Sequence, residues 1–281
     1  MSTFAKIKAI RGTLSFSEQK LAEFTLNSPN AIRDLSSIEL AKVTGVSQSS
    51  VVKFAQKLGY KGYPNFKLAV IDALNNQVND DSFHAKVTLS DSISQITNKL
   101  LLSKVAVLND TQALNGVNQI QAAVDLLKVA KHVLICGQGG SAVVAKDFAF
   151  KLQQTGILAL NDADSQTQMV CASTLSKDDL VIAISESGEN KDIKRIVEVA
   201  KANNCKVLSI TRFGNNLISS RADVSLYSAS DEDCLRMSSL LVRTAQQFIV
   251  DTLCVALTQN SRHGRKHLEK STESISSFRQ H

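Results

Sequence analysis

Two short stretches carry the residue types that hold an anion: Gly137-Gln138-Gly139-Gly140-Ser141-Ala142 and Ser185-Glu186-Ser187-Gly188-Glu189-Asn190-Lys191. Glycines let backbone amides approach a charged oxygen, serine hydroxyls add donors, and a helix starting just after turns its positive end toward the same point. Each stretch follows a short apolar run, 132–136 or 180–184, and leads into a segment of helix length, so each reads as a strand-to-helix loop. The first also satisfies a relaxed G-x-G-x-x-A dinucleotide pattern, with Asp162 or Asp164 about twenty residues on as the ribose acid. It lacks a Walker A lysine, which argues against nucleoside triphosphate hydrolysis. The second stretch favours a phosphorylated sugar, because alternate hydroxyls at a second strand end are not needed by a dinucleotide fold. The residues expected to hold such a ligand are Gly139, Gly140, Ser141, Ser185, Glu186, Ser187, Gly188 and Asn190. Plain strand-to-helix turns with N-capping serines would use the same residue types.

A third stretch, 37–58, has the spacing of a helix-turn-helix. Ala41 stands where two helices touch, Gly45 can turn with positive φ, and Val51 enters the shared core. Ser47 is a natural N-cap for the second helix, leaving Gln48, Ser49, Ser50 and Lys53 on its leading turns, where base edges are read. Lys57, Lys61 and Lys67 are placed for phosphates.

The charge distribution agrees. Residues 1–78 hold ten Lys and Arg against five Asp and Glu, residues 79–260 hold seventeen against nineteen, and the last twenty-one hold five against two. A basic head on a near-neutral body points to a polyanion as partner of the head. Apolar spacing predicts helices through 15–74, with a Ser-x-x-Glu capping box at Ser15 to Glu18 and Pro64 in the first turn of a fourth helix. A polar run at 75–82 marks a linker, so the domains are expected at 1–78 (head), 79–90 (linker), 91–260 (body) and 261–281 (basic tail). Helices are expected at 92–109 and 117–129. Apolar runs at 132–136, 157–160, 180–184, 206–210 and 224–227 alternate with helical segments at 141–155 and 191–203, which is the pattern of a parallel sheet covered on both faces. Helical spacing returns at 235–259.

Other classes find little support. The longest unbroken aliphatic run, 180–184, is far short of the roughly 18 residues that cross a bilayer, and the first fifteen residues lack an apolar export signal. Five widely spaced cysteines without a C-x-x-C pair fit neither a disulfide framework nor a zinc site, so a reducing cytoplasm, no metal and no cofactor are expected.

These stretches together resemble the RpiR family of bacterial regulators, which join an N-terminal helix-turn-helix to a C-terminal sugar isomerase (SIS) domain. The resemblance rests on 17–22, 38–41, 45–54 and 57–63 in the head, and on 137–141, 147–152, 182–188 and Arg243-Thr244-Ala245-Gln246 in the body. It implies an all-α head followed by a five-stranded parallel sheet flanked by helices. The run from Ser47 to Gly59 with Gly139 to Ala142 is most similar to the amino-sugar branch, which implies a hexosamine 6-phosphate effector: N-acetylmannosamine 6-phosphate or N-acetylmuramic acid 6-phosphate. Glu232 and Arg236 match an acid and a base ahead of the last helix in relatives, and Glu232 is thereby implied as a sugar contact. The chain departs from many relatives at Asp164-Ser165-Gln166, where they carry an Asp-x-His, and at Cys234, where they carry a second glutamate.

The resulting expectation is a repressor of amino-sugar catabolism genes that binds double-stranded operator DNA as a homo-oligomer, dimer or tetramer, and catalyses nothing. The competing expectations are a sugar-phosphate isomerase with an accessory DNA-binding head, using Glu186, Glu232 or a histidine as acid/base group, and, more remotely, a nucleotide-dependent oxidoreductase.

Overall fold

The protein is described from a computed structural model covering residues 3–75, 87–88, 90–229, 238–259 and 261–278. Most of the predicted linker, together with Glu232, Cys234 and Arg236, lies outside the described residues. The chain divides into two units, the first reaching Leu114 and the second beginning at Asn115.

In the first unit, α1 (Thr3–Ile10), α2 (Phe16–Asn27), α3 (Pro29–Ile32), α4 (Ser37–Thr44), α5 (Gln48–Lys57) and α6 (Tyr63–Asn75) gather around Ile7, Leu21, Ile32, Leu40, Phe54, Leu58 and Phe66, all fully buried. Local chemistry sets the boundaries. The Ser15 amide donates to Glu18 Oε2 at 2.8 Å, as the capping-box spacing predicts, and the Ser36 amide does the same with Glu39. Pro64 falls in the first turn of α6. Helix α1 was not anticipated by apolar spacing; it closes the core through Phe4, Ile7 and Ile10, and Thr3 Oγ1 meets the Tyr60 hydroxyl at 2.7 Å. Helix α7 (Ile93–Leu114) runs five residues beyond the predicted 92–109 and packs against α1, where Lys8 pairs with Asp110 at 3.5 Å. It therefore belongs to the first unit, although the sequence reading grouped it with the body.

The second unit opens with α8 (Val117–Val129) and then alternates strand and helix: β1 (His132–Cys136), α9 (Gly140–Gln154), β2 (Leu158–Leu160), α10 (Ser165–Thr174), β3 (Leu180–Ser185), α11 (Lys191–Ala202), β4 (Lys206–Arg212) and β5 (Val224–Ser228), followed by α12 (Ser238–Gln259) and α13 (Arg262–Phe278). All strand pairs are parallel, in the order β2-β1-β3-β4-β5. This is the α/β fold that the five apolar runs and the resemblance imply.

Because side chains alternate along a strand, each strand feeds two cores. Val133, Ile135, Leu180, Ile182 and Ile184 face α8, α9 and α12, where Leu127, Phe148, Leu152, Ile249 and Leu253 meet them. Leu134, Cys136, Val181 and Ala183 face α10 and α11, against Ala172, Ile193, Ile196 and Val197. The stretch Leu240–Gln259 is long and apolar enough to cross a membrane, but Leu241, Ala245, Ile249, Val250 and Leu253 lie in the core at helical spacing. Helix α10 was missed because its burial is slight and partly polar, resting on Gln168 and Ala172. The predicted basic tail is helical through α13.

Candidate functional site

In the first unit the turn between α4 and α5 follows the predicted chemistry. Gly45 takes the left-handed conformation with φ 65°, which a residue with a Cβ adopts only under strain, and its amide bonds back to Lys42. Ser47 caps α5 by accepting from the Ser50 amide, and its Oγ also lies 2.8 Å from the hydroxyls of both Ser49 and Ser50. Gln48, Ser49 and Lys53 are exposed on the leading turns of α5, and Gln48 Nε2 donates to Ser37 Oγ at 3.0 Å. Lys61 is exposed beyond the helix. Two other predicted phosphate contacts bond to groups of their own unit. Lys57 Nζ donates to Glu18 Oε2 at 2.8 Å and to the Thr13 carbonyl at 2.9 Å, and Lys67 Nζ donates to the Leu35 carbonyl at 3.0 Å.

In the second unit, β1 and β3 are direct neighbours, so the two Gly/Ser loops leave adjacent parallel strands at their carboxyl ends. Strand order reverses there, with β2 following β1 to one side and β3 lying on the other, which is where ligands settle on open α/β sheets. Side chains tie the loops together. Asn190 caps α11 by accepting from the Ile193 amide at 3.0 Å, and its Nδ2 donates to Gln138 Oε1 at 2.6 Å. Gln138 Nε2 in turn donates to Ser165 Oγ at 2.5 Å and Asp192 Oδ2 at 2.9 Å, so one glutamine links the starts of α10 and α11 to the loop after β1. Asp164, a candidate ribose acid, caps α10 instead: Oδ2 accepts from the Thr167 amide at 2.7 Å. That bond, with a second from the Thr167 hydroxyl, holds its carboxyl below the usual range.

The loop after β3 is braced from β4. The Arg212 amide donates to the Glu186 carbonyl at 3.0 Å, and the Ile218 amide to the Gly188 carbonyl at 3.1 Å. Gly188 has φ 71°, and a Cβ there would overlap the side-chain amide of Asn216. Ser185 is buried, and Glu186 and Ser187 are exposed. Gly139 and Gly140 form the approach to α9, and the side chain of Arg243 from α12 lies against Gly140. Ser141 is buried in the first turn of α9 and accepts from Gln246 Nε2 at 3.1 Å.

Sequence reasoning did not foresee the roles of Gln138, Asn216 or Gln246 in shaping these loops. Gln246 was visible only as part of the stretch 243–246 that carries the resemblance. The chemistry available is anion binding. Burial pushes the Cys136 thiol at the end of β1 far up, so it stays protonated and is no nucleophile. His132 lies at the opposite end of β1, its Nδ1 2.8 Å from Asp179 Oδ1, and His267 packs beside Gly156. Among the described residues no three His, Cys, Asp or Glu side chains gather as a metal site would need.

A helix-turn-helix unit followed by a parallel sheet with paired anion loops defines a ligand-responsive class of DNA-binding protein, and direct comparison agrees. Residues 1–77 match the helix-turn-helix domain of the rpiR family, and residues 126–256 match the SIS domain. The chain belongs to the rpiR family of helix-turn-helix transcriptional regulators. It is 35% identical over 261 residues to the uncharacterized HTH-type transcriptional regulator YfhH of Escherichia coli K12, covering 92% of this chain and 93% of that one. Its fold is similar to that of the Vibrio vulnificus NanR protein complexed with ManNAc-6P, with a TM-score of 0.62 and 22% identity over 98% of each chain. It is also similar to the sugar isomerase domain of an RpiR transcription factor from Sphaerobacter thermophilus, with a TM-score of 0.56 and 21% identity over 64% of this chain and 99% of that one.

Proposed function

We propose that this regulator binds a hexosamine 6-phosphate at the two loops after β1 and β3, and that occupancy changes the affinity of α5 for operator DNA. The observation that carries this reading is the adjacency of β1 and β3, which puts Ser141, Ser185, Ser187 and Asn190 at neighbouring strand ends with the N-termini of α9 and α11. Several hydroxyl and amide donors with two helix dipoles suit a phosphate better than a neutral ligand. The complex of the NanR neighbour with ManNAc-6P supports N-acetylmannosamine 6-phosphate as the first ligand to try. On this reading the chain is a cytoplasmic repressor of amino-sugar genes. It pairs its heads as a homodimer or tetramer, because one short recognition helix reads too few bases alone. On this reading the DNA-binding head is 1–78, extended by α7, and the sugar-phosphate domain begins with α8.

Calorimetry on the full chain tests it. N-acetylmannosamine 6-phosphate should bind the wild type, while the Ser185→Ala/Ser187→Ala variant should lose most of the affinity, each charged hydrogen bond being worth about 1.5–3 kcal/mol. Equal affinity in both proteins moves the site elsewhere, and conversion of the sugar during the titration restores the isomerase reading.

A further inference from the structure

A serine hydroxyl has one proton to give and lone pairs to receive with, so the donors it already accepts from decide where its own proton can go. Ser185 Oγ accepts from the Gly188 amide at 3.2 Å and Ser187 Oγ accepts from the Glu189 amide at 3.1 Å, both within one loop. Ser141 differs: its donor is a side chain, Gln246 Nε2, 105 residues away on α12. Among the described residues, none of these three hydroxyls gives its proton to a protein acceptor.

Gln246 is fully buried, and among the described residues its Oε1 has no hydrogen-bond partner. Leaving a buried amide oxygen unpaired carries a desolvation cost that an apolar side chain of the same size would not. The neighbours of Gln246 along α12, Val242, Ala245, Ile249 and Val250, are all buried and apolar, so packing alone gives no reason for an amide here. What the amide supplies is the one bond to Ser141. Arg243, three residues earlier on the same face of α12, lies against Gly140, so α12 touches the start of α9 at two positions about one turn apart.

We infer that Gln246 is a positioning residue for anion binding: its Nε2–H fills a lone pair of Ser141 and leaves the Ser141 hydroxyl proton for a phosphate oxygen. This rests on the proposed phosphate site. It makes the three hydroxyls equivalent in polarity, each receiving from the protein and giving to the ligand.

The test is a double-mutant cycle read by calorimetry on the full chain, with N-acetylmannosamine 6-phosphate and inorganic phosphate as probes. Gln246→Met keeps the bulk and removes the donor; it should weaken both probes by roughly tenfold, as Ser141→Ala should. In the Ser141→Ala background Gln246→Met should add less than about twofold, whereas in the Ser185→Ala background it should keep its full effect. A merely structural role would lower affinity equally in both backgrounds, and that result overturns the inference. Unchanged or tighter binding in Gln246→Met also overturns it, since the glutamine would then have been taking the proton. Should Gln246→Met not melt cooperatively, Gln246→Asn, too short to reach Ser141, enters the same cycle with the same expectations. If Ser185→Ala/Ser187→Ala binds both probes as the wild type does, the phosphate site itself is misplaced, a failure separate from that of Gln246.

Discussion

At single residues, two glycines with similar backbone angles separate conformational strain from steric overlap. Gly45 has φ 65° with only the Lys20 Nζ near a would-be Cβ, at 3.9 Å, so Gly45→Ala should cost about 1 kcal/mol of left-handed strain. Gly188 has φ 71°, and its Cβ would run into Asn216, which is itself held by Thr211, Arg212 and Gly214. Gly188→Ala should therefore cost about 2–4 kcal/mol in urea unfolding and weaken phosphate binding as the loop shifts. A second residue-scale expectation concerns acid. Burial alone would raise the Asp179 carboxyl, but bonds from the Ser176 amide and hydroxyl and from His132 outweigh it and hold it below its usual value. A carboxyl lowered on folding stabilises the native state above its unfolded value, near pH 4, and that contribution fades as pH falls through the folded value. Melting between pH 6 and pH 3 should thus fall less steeply in Asp179→Asn than in the wild type, from a lower start; parallel curves would contradict this.

At the scale of elements, α5 packs through its inner face and, on the proposed reading, meets DNA with its leading turns, and the lysines at and just beyond its end divide accordingly. Lys57 joins α5 to Glu18 at the start of α2 and to the Thr13 carbonyl, so Lys57→Ala should cost about 0.5–1 kcal/mol of stability. Lys61→Ala should instead leave stability alone and lower the salt slope of DNA binding by about one. A larger change in slope for Lys57→Ala than for Lys61→Ala would reverse that division. Helix α7 belongs to the same unit, with Ala106, Val107 and Leu114 buried, so a fragment of 1–114 should melt higher than one of 1–78. The elements were unequally legible. Strands announce themselves because Leu180 to Ile184 must be apolar on both faces, and Gly45 and Ser47 because few other residue types turn and cap as they do. Helix α1 hid in a stretch where lysines interrupt its apolar face, and α10 in one whose inward residues are Gln168 and Ala172. The loops at the site were legible as glycine and serine patterns. The glutamines that shape them were not, since nothing at position 246 of an apolar helix signals a bond to position 141.

For the whole molecule, the proposed function makes the second unit a sensor and the first a reader of DNA, with the two coupled. Coupling is reciprocal, so an effector that alters DNA affinity must have its own affinity altered by DNA to the same degree. The serine pair at the end of β3 is the place to break that coupling without touching α5. The most direct measurement is fluorescence anisotropy of an operator selected from genomic fragments, titrated with the full chain at fixed salt, with and without N-acetylmannosamine 6-phosphate, for the wild type and for Ser185→Ala/Ser187→Ala. The account predicts that the sugar phosphate shifts wild-type DNA affinity by roughly 5- to 150-fold, the usual range of allosteric coupling, and that the variant binds the same DNA equally well but no longer responds. A variant that responds as fully as the wild type would contradict it.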